Sequence, residues 1–133
     1  MCKRMLAGIV YAASALAGAS VADGIYTDGQ AKQGGEEYRK ECASCHGMDL
    51  AGRGQAPPLA GAEFKMSWDG MTVGDLFEKM QTSMPADKPG QLSMDANARI
   101  LAYMLKMNKF PSGSTVLPGD LEALRKIQFV APK

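Results

Sequence analysis

The chain of 133 residues carries 15 basic and 14 acidic side chains, so its formal net charge is +1. This balance excludes proteins that bind nucleic acid through concentrated basic charge, and it gives no strong indication of a charged partner. The length is enough for one small domain.

The N-terminal residues are typical of a secretory signal peptide. Two basic residues precede an apolar run that is rich in small residues and shorter than the ~20 apolar residues of a membrane-spanning helix. Two small-x-small patterns, ending at Ala19 and Ala22, fit signal cleavage. We expect removal of residues 1–22 and export to the periplasm, leaving 23–133 as a single domain. The alternative is that the segment is not cleaved and anchors the protein to the membrane. Only in that case do we expect membrane contact.

The first helix of the exported part is predicted to begin at Thr27 or Asp28, either of which can cap it, and to end near Cys42. Gly34 and Gly35 lower its propensity by about 1 kcal/mol each. Glycines inside a helix often mark the close approach of another element. The alternative is a break in the helix at Gly34.

This helix leads into a C-x-x-C-H motif formed by Cys42, Cys45 and His46. The motif is the signature of covalent haem c attachment, in which each thiol bonds one haem vinyl group and the histidine becomes the proximal iron ligand. The alternatives are a thiol redox centre and a zinc site. Zinc needs about four ligands, but the chain has one histidine and three cysteines, of which Cys2 lies in the predicted signal. We therefore predict one covalently bound haem c.

The remainder is predicted to alternate between loops and helices. Residues 47–61 form a loop with several Gly and Pro, and residues 64–69, including Trp68, form a buried turn around the cofactor. Three further helices are predicted from capping residues followed by apolar side chains at helical spacing, and they begin at Thr72, Ser93 and Asp120. The last of them extends to about residue 128. No segment alternates convincingly as a strand, so the predicted class is all-α.

The only histidine is already used, so the sixth iron position is left to methionine, lysine, tyrosine, an N-terminal amine, water or no ligand at all. Eight methionines follow residue 22. Met84 stands in a loop between two predicted helices, directly before Pro85, which restrains the backbone and positions the thioether. Met84 is therefore the predicted distal ligand, with Met80 and Met71 as alternatives.

These motifs resemble the class I cytochrome c family along nearly the whole exported segment. The matching stretches are Gly35–Gly47, Ala56–Leu59, Thr82–Pro85 and Ile100–Tyr103. The resemblance implies a small helical fold wrapped around one covalent haem c. It also implies that the Pro57 carbonyl accepts a hydrogen bond from His46 Nδ1, and that Tyr103 packs over Gly35. Pro57, Trp68 and Tyr103 are therefore the predicted supporting residues of the cofactor site.

A narrower resemblance is to the cytochrome domains that accompany PQQ-dependent dehydrogenases. It rests on Trp68–Phe77, Met84–Ser93, Asn108–Gly113 and Leu117-Pro118. It implies an alcohol or sugar dehydrogenase as electron donor, with an oxidase or another cytochrome as acceptor. The sequence departs from these domains at Lys109, where a glycine is common.

The expected function is periplasmic one-electron transfer through Fe(II)/Fe(III) haem c with His46 and Met84 as axial ligands. The protein would then be a carrier and not itself an enzyme. One alternative is a haem-bearing subunit of a dehydrogenase or oxidase complex. Another is a ligand sensor or peroxidase in which Met84 is labile. The C-terminal extension, residues 112–133, is either a docking element or a cover for the haem domain, and we favour the cover.

Overall fold

The computed structural model describes residues 18–132, and this part of the chain is helical. The six helices are α1 (Asp28–Glu41), α2 (Ala43–His46), α3 (Ala62–Trp68), α4 (Val73–Ser83), α5 (Met94–Met107) and α6 (Leu121–Leu124). The predicted all-α class is confirmed. Among the same residues, no helix combines the length and the apolar character that crossing a bilayer requires.

The helices begin where the capping residues predict. The side chains of Thr27 and Ser93 each accept a hydrogen bond from a first-turn backbone N–H. Thr72 and Asp75 form a complete capping box, in which each side chain bonds the backbone N–H of the other. Local sequence therefore determines these helix starts.

Two predicted elements differ from the structure. Residues 62–68 form helix α3, where a buried turn was expected over 64–69. Only Phe64 of this helix is buried in the core, and Met66 is exposed. The last predicted helix is wrong beyond Leu124. There the backbone leaves the helix and forms hydrogen bonds with two distant segments instead.

Helices α1 and α5 cross at the paired glycines of α1, which is continuous through both. A Cβ on Gly34 would stand 1.7 Å from the backbone oxygen of Arg99, so this glycine permits backbone-to-backbone contact. A Cβ on Gly35 would meet the ring of Tyr103 at 3.0 Å. The glycines that weaken α1 locally are thus the residues that let the two longest helices pack closely.

Three short extended segments, residues 19–21, 71–73 and 127–129, form what we call the terminal ribbon. The middle segment, 127–129, pairs parallel to 19–21 and antiparallel to 71–73. The ribbon ties both ends of the described chain to the turn between α3 and α4. Residues 1–17 of the predicted signal lie outside the described residues, whereas 19–21 belong to the folded domain.

The C-terminal extension is integrated into the hydrophobic core. Phe129 is fully buried, with its ring edge-on to Phe64 (centroids 5.9 Å apart) and to Phe110 (5.4 Å). Farther upstream, the Gln30 amide donates to the Leu117 carbonyl at 2.8 Å and accepts from the Leu117 N–H at 2.9 Å. This segment therefore packs against the core and contacts Phe64, a residue of the cleft described next. Its role as a cover or a docking element stays a prediction.

Candidate cofactor site

A cleft of about 890 Å³ opens between the first five helices, a volume within the roughly 300–1,000 Å³ range of small-molecule sites. Its walls are mostly apolar, and the main apolar contributors are Leu59, Phe64, Leu76, Met80, Ile100 and Met104. The predicted attachment and ligand residues all line this same cleft, and they are Cys42, Cys45, His46, Pro57, Trp68 and Met84. The fold therefore gathers residues that lie far apart in the sequence around one apolar space.

The two thiols approach the cleft at the junction of α1 and α2. Cys42 ends α1, and Cys45 and His46 follow three and four positions later in α2, the spacing that places side chains on one helix face. Both thiols are free of disulfide bonds in the structure. Burial, reinforced by the neighbouring Glu41 carboxylate, raises the pKa of the Cys42 thiol to about 11. It is therefore a neutral thiol at physiological pH before any reaction.

His46 is buried and oriented by a single hydrogen bond. Its Nδ1 lies 2.8 Å from the carbonyl oxygen of Pro57. A carbonyl can only accept, so Nδ1 donates this bond and Nε2 is the ring nitrogen left to bind a metal. This is the contact that the family resemblance implies for Pro57.

The loop that carries Pro57 is held by its own backbone. The Leu59 N–H donates to the Leu50 carbonyl and the Gly52 N–H donates to the His46 carbonyl, both at 2.8 Å. The Tyr38 hydroxyl, on α1, donates to the Gly47 carbonyl at 2.8 Å. These bonds hold the backbone on the His46 side of the cleft, which we call the proximal side.

Asn108, the C-cap residue of α5, supports the cleft from behind the proximal loop. Its buried amide donates to the carbonyls of Leu59 (2.9 Å) and Met104 (2.8 Å), and its oxygen accepts from the Gly61 N–H at 3.0 Å. It therefore joins the end of the proximal loop to the C-terminus of α5. Its partner loop lies 47 or more residues away, so no local pattern could have indicated this role.

Met84 lies at the end of α4, where its N–H still donates to the Met80 carbonyl at 3.1 Å and its backbone is extended. Pro85 follows and is buried. Met80 and Met104 also line the cleft, but from within α4 and α5. Met71, the other alternative, lies in the terminal ribbon and is 42% exposed, outside the cleft wall. The assignment of Met84 as the distal ligand stays a prediction.

A second polar connection supports the distal side. The Asn97 amide of α5 donates to Gln81 Oε1 of α4 at 2.7 Å, and Gln81 donates to the Leu92 carbonyl at 3.3 Å. The loop between Met84 and α5 is thus anchored at its far end. Among the described residues, no buried side-chain nitrogen or oxygen lacks a hydrogen-bond partner.

The two aromatic residues predicted to support the cofactor occupy different places. Trp68, at the end of α3, is half-buried and lines the cleft. Tyr103 does not line it. Its ring covers Gly35 and lies 5.4 Å from the ring of Tyr38, because α5 presents this residue to α1. Tyr103 therefore supports the helix crossing.

Residues 29–104 match the family described as cytochrome c oxidase, cbb3-type, subunit III. The chain belongs to this family and is a class I cytochrome c. A chain in the crystal structure of the sulfane dehydrogenase SoxCD from Paracoccus pantotrophus shares the fold, with a TM-score of 0.55 and 25% identity. That match covers 84% of this cytochrome but 60% of the SoxCD chain. The comparison with curated proteins found no match.

The residues of the cytochrome's cleft fit a c-type haem. Two free thiols could hold the porphyrin edge, His46 could offer Nε2 because Nδ1 is engaged by the Pro57 carbonyl, and Met84 could offer a neutral thioether. The apolar walls suit a large planar macrocycle. Haem-based electron transfer is the function of such a domain.

Proposed function

We propose that the protein is a periplasmic one-electron carrier with a single covalent haem c. In this proposal Cys42 and Cys45 form the thioethers, and His46 and Met84 are the axial ligands. The observation that carries it is the hydrogen bond between His46 Nδ1 and the Pro57 carbonyl, because it prepares Nε2 for iron inside a cleft that also holds both thiols. Haem c is attached outside the inner membrane in bacteria, which agrees with the predicted export signal.

When bound, the haem supplies a one-electron couple between ferrous and ferric iron, and His/Met ligation raises its potential relative to bis-histidine ligation. The chain's own residues hold the two ligands in place. Pro57 fixes the ring of His46, and the apolar walls exclude water, which also favours the less charged reduced state. With both axial positions filled by side chains, no iron position stays open for a substrate.

For the partners, we propose a dehydrogenase as electron donor and an oxidase or another cytochrome as acceptor. The resemblance to cytochrome domains of PQQ-dependent dehydrogenases supports a quinoprotein donor. The structural likeness to a chain of sulfane dehydrogenase SoxCD supports a dehydrogenase partner more generally. The family description, which names an oxidase subunit, supports an oxidase as the acceptor.

The test is anaerobic mixing of the oxidised protein with a PQQ-dependent dehydrogenase and its alcohol or sugar. We expect the haem spectrum to change to the reduced form within seconds and only when the substrate is present. A chemical reductant should give the same final spectrum and serves as the control. If only the chemical reductant works, the quinoprotein donor is wrong while the carrier function stands.

A second candidate function is a permanent haem-bearing subunit of a larger complex. The family description and the dehydrogenase likeness both favour it. Co-purification from native periplasm and membranes distinguishes the two cases, because a permanent subunit stays with its partner through a salt wash. A freely migrating protein with the mass of one processed chain, below the 14.1 kDa of the full sequence, supports the carrier.

A sensor or peroxidase would need Met84 to leave the iron. Mixing the reduced protein with CO at neutral pH tests this directly. We expect slow and incomplete CO binding, because the thioether occupies the site. Rapid and full binding would overturn the carrier proposal.

A further inference from the structure

The second of the two predicted cleavage patterns, Ser20-Val21-Ala22, lies inside the folded domain. The side chain of Val21 is completely buried in the hydrophobic core, and Ala19 is 8% exposed. A signal peptide cut after Ala22 would take this valine away and open the core at that point. Apolar burial of this kind is the main driving force for folding in so small a domain.

The backbone of the same segment is also part of the fold. The Val21 N–H donates to the Gln128 carbonyl at 3.0 Å, and the Gln128 N–H donates to the Ala19 carbonyl at 2.9 Å. Gln128 lies in the middle segment of the terminal ribbon. A cut after Ala22 would remove both of these partners of Gln128 and expose one edge of that segment, whereas a cut after Ala19 would remove only the Ala19 carbonyl and a cut after Ala17 would keep both.

A turn directly after the buried valine closes on Ser20. The Ser20 N–H donates to Asp23 Oδ2 at 2.7 Å, and the Asp23 N–H donates back to the Ser20 carbonyl at 3.0 Å. If the chain began at Ser20, its new amino group would be a charged donor to the same carboxylate, and such bonds are the stronger ones. The turn can therefore form when the chain begins at Ser20. It cannot form when the chain begins at Asp23, because Ser20 is then absent.

We propose that the exported protein keeps Ser20, Val21 and Ala22, and that the signal peptidase cuts upstream of them. This rests on the proposed export. Two small-x-small patterns satisfy the requirement, one ending at Ala17 and one at Ala19. Water is added across the Ala17–Gly18 or the Ala19–Ser20 peptide bond, which gives a carboxylate on the signal and a free amino group on the domain. The domain then begins at Gly18 or Ser20 instead of Asp23.

The direct test is intact-mass measurement and N-terminal sequencing of the haem protein from the periplasm of a bacterium that attaches haem c. We expect a chain that begins at Gly18 or Ser20. A chain that begins at Asp23 overturns this inference but leaves export standing. A chain that still begins at Met1 overturns the proposed processing and, with it, the cleaved-signal route of export.

Two matched substitutions test which pattern the peptidase uses. Ala22→Gln places a bulky residue at an exposed position and blocks only cleavage after residue 22, so we expect an unchanged N-terminus and unchanged yield. Ala17→Gln disrupts both upstream patterns, and we expect the precursor to accumulate. Precursor accumulation in Ala22→Gln, with normal processing of Ala17→Gln, would contradict the proposal.

A third experiment tests whether residues 20–22 stabilise the folded domain, and it does not depend on the native signal peptide. A foreign signal peptide is fused so that the released chain begins at Ser20 or at Asp23, and thermal unfolding of the two haem-loaded proteins is compared. We expect the Asp23 chain to unfold several degrees lower, and Val21→Ala in the Ser20 chain to account for part of that shift. Equal midpoints for all three proteins would show that the segment adds nothing to the domain.

Discussion

At the scale of single residues, the site depends on a few hydrogen bonds that give each group one orientation. The 2.8 Å contact between His46 Nδ1 and the Pro57 carbonyl determines which ring nitrogen faces the cleft. A second set, around Asn108, holds the loop that carries Pro57. Removing either would change the site without touching the C-x-x-C-H motif.

Met84→Ala is expected to abolish the weak far-red absorption band that oxidised class I cytochromes show when a methionine sulfur binds iron. Haem should stay covalently attached, because the thioethers form at Cys42 and Cys45. Visible spectroscopy and denaturing gels with haem staining measure the two properties. Met71→Ala, outside the cleft, is the control and should keep the band. Persistence of the band in Met84→Ala would assign the ligand to Met80 or Met104.

Asn108→Ala should lower the free energy of unfolding by about 2 kcal/mol, because it removes the donor to the Leu59 carbonyl and the acceptor of the Gly61 N–H. Urea unfolding of the haem-loaded protein, followed by haem absorbance, measures this. Gln91→Ala, at an exposed position, should change the value by less than about 0.5 kcal/mol. Equal effects of the two substitutions would show that Asn108 does not hold the proximal loop.

A single backbone angle explains the sequence departure at Lys109. This residue has φ +66°, in the left-handed region that a residue without Cβ adopts most easily. The position lies directly after the end of α5 at Asn108. A glycine at this position in related domains would adopt the same backbone angle with less strain. Lys109 does not line the haem cleft.

At the scale of elements, the crossing of α1 and α5 is the most extensive helix-to-helix contact among the described residues. Gly34 brings the α1 backbone onto the Arg99 carbonyl, and an ion pair between Glu37 and Arg99 lies on the same pair of helices. Both helices supply residues to the cleft, so their spacing sets its width.

Gly34→Ala is expected to cost at least about 3 kcal/mol, the upper end of overpacking effects, because the obstructing atom is backbone. Gly29→Ala is the matched control in the same helix. A Cβ there meets nothing within 4 Å, so it should stabilise α1 by up to about 1 kcal/mol. Chemical denaturation of both proteins measures the difference. A Gly34→Ala protein as stable as the parent would contradict the crossing geometry.

The C-terminal extension contributes Phe129 to the hydrophobic core. The ring of Phe129 packs on Phe64, which lines the cleft. We expect Phe129→Ala to lower the free energy of unfolding by about 3–5 kcal/mol. Val130→Ala should change it by less than about 0.5 kcal/mol, because Val130 is 48% exposed. If instead Phe129→Ala leaves stability unchanged but slows electron transfer to a partner, the extension is a docking element.

At the scale of the whole molecule, the charged residues that line the cleft balance in number. Three lysines and three acidic residues line its opening: Lys40, Lys79, Lys88, Glu41, Glu63 and Asp87. Electron-transfer partners usually meet in small, transient contacts. A balanced rim of this kind offers little electrostatic steering toward a charged partner.

The rate of reduction by ascorbate, an anionic reductant, should therefore depend weakly on salt. Between about 0.01 and 0.5 M ionic strength we expect a change well below tenfold, the lower end of steering effects. Stopped-flow absorbance measures the rate. The double substitution Lys79→Glu and Lys88→Glu makes the rim acidic, and its rate should rise clearly with salt. A strong salt dependence in the parent protein would contradict the balanced rim.

Much of the architecture could be predicted from local patterns. The helix starts at Thr27, Thr72 and Ser93 follow from side chains that bond backbone groups three residues away. The end of the chain could not be predicted in the same way. The apolar spacing around Leu124 suits a helix, but the backbone near Gln128 finds its partners in segments more than 50 residues away.

The sequence by itself determined the chemistry of the site, because the spacing of Cys42, Cys45 and His46 is local and belongs to one short helix. The tertiary structure alone decided what supports and encloses that chemistry. It brought Asn108 to the proximal loop and drew Val21 into the core. These contacts join residues that are distant along the chain, and apolar burial and hydrogen-bond satisfaction select them only when the whole domain packs.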